Sequence, residues 1–245
     1  MPTRDEIESA LAKVKDQRSF IDSLLRGALD WPIDGDARSI QDISYPWSKD
    51  DLRASDLNQS LVEEKILQVM PFRDDQPWGI FILEFKNQEP FRTDRGMAGT
   101  LRKVLRGLVA SRLRRADLPS WKLDNLLFIC NHNYQDFRFA SFRADPAQPR
   151  NPNAARIAAF GWGPNLPRRT ACEFNLPPLA YREGASSAQW VEQWTDAFDV
   201  EKVTKKFYGE YAEVFGELES KLKGPRGEEE RRLAAQTLMN RLMFL

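Results

Sequence analysis

Ile66-Leu67-Gln68-Val69-Met70-Pro71-Phe72 and Trp78-Gly79-Ile80-Phe81-Ile82-Leu83-Glu84-Phe85-Lys86 are two apolar runs separated by Arg73-Asp74-Asp75-Gln76-Pro77. Runs rich in Ile, Val and Phe with turn residues between them read as a β-hairpin. The second run carries apolar side chains on both faces, Ile80 and Ile82 on one and Phe81, Leu83 and Phe85 on the other. A strand covered on both sides sits centrally in a sheet. The class this predicts is α/β, a mixed central sheet flanked by helices.

Outward from the hairpin, Met97, Leu101, Val104, Leu105 and Leu108 form one apolar stripe at helical spacing. At about 100° per residue, Arg95, Arg102 and Arg106 fall on the far side of that helix with Lys103 beside them. Strands are predicted at 126–130, 137–143 and 156–162, with loops at 144–153 and 163–178. Upstream, residues 4–29 read as an amphipathic helix stopped by Pro32, and 34–57 as a loop with a short helical turn. Residues 60–65 read as the end of a further short helix. From Ser187 the pattern is helical, broken at Gly224-Pro225-Arg226-Gly227. The expected organisation is an α/β domain over 1–178 and a helical connector over 179–245. The last helix runs into Leu242-Met243-Phe244-Leu245 with no polar cap, which points to the front part of a longer polypeptide.

Thirty-six basic residues balance 36 acidic ones, and 42% of the chain is hydrophobic, enough for a core. Two cysteines and a single histidine, His132, argue against a disulfide framework, a zinc cluster or a histidine triad built anywhere else. No apolar run reaches the ~20 residues of a membrane span, and Arg4, Asp5 and Glu6 do not open a signal peptide. The expected setting is cytoplasmic, without a membrane partner. The neutral total hides polarity, because residues 92–115 hold eight basic residues against Asp94 alone, while 183–230 hold twelve acids against six bases. Such a basic block suits phosphate, whereas acidic helices stay solvated or face a protein.

Glu84-Phe85-Lys86 is the sharpest candidate for chemistry. Two residues apart on a strand, the carboxylate and ammonium share a face, as in the ExK half of a metal-dependent nuclease site. There Glu84 would hold Mg²⁺ and Lys86 would orient water. Glu64 and Glu63, just before the first strand, are the better-placed second carboxylate. Asp74 and Asp75 sit at the turn, while Glu84 should lie opposite roughly Leu67, far from it. Glu84 and Lys86 also fit an ordinary strand-end ion pair. Arg95, Arg102, Lys103 and Arg106 suit phosphate through the planar guanidinium fork, with Gly96 and Gly99 near the helix start able to bare N–H groups. The same face also fits a solvated helix surface. His132, in Asn131-His132-Asn133-Tyr134, reads as a hairpin-turn residue. Gly161-Trp162-Gly163-Pro164 is neither a Walker loop nor a dinucleotide fingerprint.

The segments Trp78–Phe85, Leu101-Arg102-Lys103-Val104-Leu105-Arg106 and Asn125-Leu126-Leu127-Phe128-Ile129-Cys130 together resemble the region upstream of the methyltransferase domain in type IIG-like fused restriction-modification proteins. Residues 198–208 and 236–245 resemble the helical connector leading into that methylase. The resemblance implies adenine-directed DNA methylation with S-adenosylmethionine, often with DNA cleavage, in phage defence, and a restriction-endonuclease-like core here. The chain has no NPPY or DPPY tetrapeptide, so in this reading S-adenosylmethionine belongs to the methyltransferase domain of the parent chain. The leading expectation is a region facing double-stranded DNA through its basic helix. The alternatives are a Mg²⁺-dependent endonuclease at Glu84 and Lys86, and an inert scaffold docking other domains of the same chain.

Overall fold

In the computed structural model of the chain the described residues are 1–52, 66–111, 115–119, 121, 125–148, 151, 153–223 and 227–243, with a few helical residues described by backbone alone. The chain divides into two compact units, Met1–Phe198 and Asp199–Leu245.

The first unit is built on a six-stranded sheet, β1 (Ser44–Trp47), β2 (Ile66–Val69), β3 (Trp78–Glu84), β4 (Asn125–His132), β5 (Asp136–Arg143) and β6 (Arg156–Trp162). Spatial order follows chain order. Every neighbouring pair is antiparallel except β3–β4, which is parallel. Helices α1 (Arg4–Lys13), α2 (Gln17–Ser19), α3 (Lys49–Leu52) and α4 (Asp94–Ser111) accompany it. A parallel pair needs a crossover, and α4 supplies it. This is the mixed α/β sheet flanked by helices that the hydrophobic pattern predicts.

Alternation along the strands sorts the core into two layers. Ile80, Ile82, Leu127, Ile129, Phe137 and Phe139 pack with the N-terminal segment and with Trp190 and Trp194. Phe81, Leu83, Leu126, Phe128 and Phe142 pack with the apolar stripe of α4.

Three sequence expectations need correcting. The span 34–57 contains a strand as well as a turn: β1 pairs with β2 in the register Ser44↔Val69 to Trp47↔Ile66. Pro46, which has no N–H to donate, fits such an edge position. The helix expected over 4–29 is two pieces. α1 ends at Lys13, Asp16 restarts the chain by accepting from Ser19 N–H at 2.8 Å, and a π-helix continues over Phe20–Ala28. The domain boundary expected after Pro178 falls inside the core. Leu179 and Trp194 are fully buried, and Trp31 Nε1 donates to the Leu179 carbonyl at 2.9 Å. Residues 179–198, including α5 (Ser187–Asp196), therefore belong with the sheet.

The second unit consists of α6 (Val200–Lys221) and α7 (Glu228–Met243). Asp199 caps α6, accepting from Glu201 N–H at 2.9 Å.

Candidate functional site

Glu84 ends β3 on the face shared by Ile80 and Ile82. It is half-buried and lines a cavity of about 20 Å³ with Gln17, Gln41, Leu67, Asn131 and Tyr134, whereas Lys86 is exposed. The parallel register sets Glu84 against Asn131, and Phe85 N–H donates to the Asn131 carbonyl at 2.8 Å. Asn131 is 1% exposed; its Oδ1 accepts from Tyr134 N–H at 3.4 Å, and its buried Nδ2 has no hydrogen-bond partner.

His132 closes the same strand end. Its Nδ1 lies 2.8 Å from the Phe85 carbonyl and its Nε2 3.2 Å from Asn133 Nδ2. An amide nitrogen only donates, so Nε2 accepts and Nδ1 carries the proton given to Phe85. The sequence reading placed His132 in a turn, which is where it lies, but missed that it pins the backbone between Glu84 and Lys86.

The β2–β3 register differs from expectation, since Leu67 faces Ile82 rather than Glu84. Glu63 and Glu64, expected as the second carboxylate, precede β2 in the chain. Both glutamates lie outside the described residues. Asp75 is held elsewhere, at the turn: Ser187 Oγ donates to it at 2.6 Å and Arg73 Nη2 at 3.0 Å, and these contacts hold its carboxyl below the usual range. Among the described residues no group of three or more His, Cys, Asp or Glu side chains could hold a metal ion. Mg²⁺ takes an octahedral oxygen sphere, and Glu84 with its described neighbours falls short of one.

The α4 stripe is buried as its spacing demands, with Met97, Leu101, Val104, Leu105 and Leu108 between 0% and 3% exposed. Arg95, Lys103 and Arg106 are exposed on the outer side and Arg102 is half-exposed. Arg102 donates to the Asn153 carbonyl at 3.1 Å. Among the described residues no carboxylate pairs with Arg95, Lys103 or Arg106, so these four residues do form one outward basic face. The Gly96 N–H is already engaged, donating to Thr93 Oγ1 at 3.1 Å.

The rest of the basic block behaves differently. Arg115 ion-pairs with Asp51 at 2.5 Å and Asp117 at 2.9 Å, and its guanidinium lies 5.4 Å over the Trp47 ring. Its charge is engaged within the fold. Arg112 and Arg114 lie outside the described residues. Burial raises the Asp51 carboxyl, but Ser48 and Arg115 outweigh it, and the net displacement is downward. Burial pushes both thiols up, Cys172 to about 11, so neither is an activated nucleophile.

No protein-family model, curated protein or solved structure matches the chain.

Proposed function

We propose that this chain is the DNA-facing region of a restriction-modification-type protein, gripping the phosphate backbone of double-stranded DNA through the outer face of α4. The supporting observation is that Arg95, Lys103 and Arg106 stand exposed on one side of a firmly packed helix with no acidic partner among the described residues, and with Arg102 beside them. Contacts of this kind position a protein on DNA without reading its sequence. In this reading methylation of adenine, and S-adenosylmethionine with it, belongs to a methyltransferase domain of the parent chain.

The test is fluorescence anisotropy of a duplex oligonucleotide across a salt series. Arg102→Glu with Arg106→Glu should weaken binding at least ~10-fold and lower the slope of log affinity against log salt by about 1 per lost contact. If the unmodified chain does not bind at low salt, or the variant binds as well as it does, the reading fails.

A second reading, Mg²⁺-dependent cleavage at Glu84 and Lys86, draws support from their shared strand end. Plasmid incubated with the parent protein and Mg²⁺ separates the two readings. Cutting that persists after Glu84→Ala removes the strand end from consideration.

A further inference from the structure

At the opposite end of the sheet from Glu84, on the face away from α4, two arginines stand against each other. Arg143 of β5 pairs in register with Arg156 of β6. Directly opposed residues of an antiparallel pair have Cβ atoms about 5 Å apart on one face. The alternation fixes which face: Arg143 continues the row of Phe137 and Phe139, and Arg156 that of Phe160 and Trp162, all in or against the core layer that excludes α4.

Like charges so placed repel and destabilise a sheet, and an opposed pair normally brings a carboxylate. Among the described residues none pairs with either guanidinium. The nearest acid along the chain, Asp145, instead accepts from Ala147 N–H at 2.9 Å. Arg143 is half-buried and Arg156 exposed, so an incoming group can reach both. The same row continues into β4 with Asn125, which lies opposite Arg143 and is 8% exposed.

We propose that Arg143 and Arg156 form a phosphate-binding site, with Asn125 next in the row as a neutral amide donor. Two planar forks at strand-pair spacing offer several N–H donors to one tetrahedral oxyanion, and its charge removes the repulsion between them. Burial, and then the charge of Arg156, lower the Arg143 pKa below the ordinary guanidinium value, a penalty that a bound anion reverses. The phosphate can come from a DNA backbone or from a free phosphate compound. The site itself does not depend on the α4 reading.

Thermal melting of the full chain in chloride and in inorganic phosphate, at matched ionic strength, tests it. Phosphate should raise the melting temperature of the unmodified protein, and Arg143→Gln with Arg156→Gln should abolish the shift. In chloride the double variant should melt at or above the parent, since the like-charge contact is gone; Arg156→Gln alone, at the exposed position, should reduce the phosphate shift. No phosphate shift in the parent, or a shift that survives in the double variant, overturns the proposal. The anisotropy series distinguishes the source. If DNA is the occupant, the double variant lowers the salt slope by about 2, while Arg102→Glu with Arg106→Glu leaves the phosphate shift intact. A phosphate shift without any DNA binding supports the site with a free phosphate compound and defeats the α4 reading alone.

Discussion

Gly161 shows how tightly single positions are set in β6. A Cβ added there would run into the Phe137 carbonyl oxygen and come within 2.7 Å of the Arg138 side chain. Arg138 is itself buried and donates to the Phe137 and Phe91 carbonyls, each at 3.1 Å. Neither neighbour has room to retreat, so Gly161→Ala should cost about 3 kcal/mol, as overpacking does, read as a lower urea midpoint at unchanged slope. Gly99→Ala, where an added Cβ meets nothing within 4 Å, should instead stabilise by about 0.5–1 kcal/mol through helix propensity. Neither sign is visible in the sequence, because both depend on what lies across the fold. His132 teaches the same point: its turn was legible from Asn131-His132-Asn133-Tyr134, but its bond to Phe85 joins strands far apart in the chain.

Among the elements, α4 was the most legible. Its apolar stripe obeys a local period, and that period also dictates which residues point outward, so the basic face followed directly. Burial and charge are therefore separable by mutation. Leu105→Ala, at 3% exposure, should cost about 2–5 kcal/mol, whereas Arg106→Glu one position later should change stability by no more than about 0.5 kcal/mol; paired denaturation curves would show the contrast. β1 escaped because it has four residues, includes Pro46 and gains its structure from β2. Arg115 was counted in the basic block because its partner Asp51 is remote in sequence. The opposition of Arg143 and Arg156 was equally hidden, since it depends on strand register rather than on spacing along one element.

For the molecule as a whole, the Arg115 cluster ties α3 and β1 to the segment after α4 and makes stability depend on pH. Asp51 and Asp117 have folded pKa values below their ordinary ones, Asp117 chiefly through its hydrogen bond with Arg115. A lowered carboxylate pKa contributes stability that is fully present above the unfolded value of about 3.9. That contribution is lost as pH falls through the lower folded value. Melting temperature should thus hold above about pH 4 and fall below it, and Arg115→Gln should flatten the acid decline as well as lower the plateau. A different consequence follows from the parallel β3–β4 pair. All other neighbouring strands are antiparallel and meet by turning back, but β3 and β4 meet only after the chain has travelled the length of α4. That closure spans the widest gap in sequence within the sheet, so refolding kinetics should show it as the slow event. Strands 1–3 and 4–6 can form as two local meanders, and the apolar stripe of α4 is what brings them together in time.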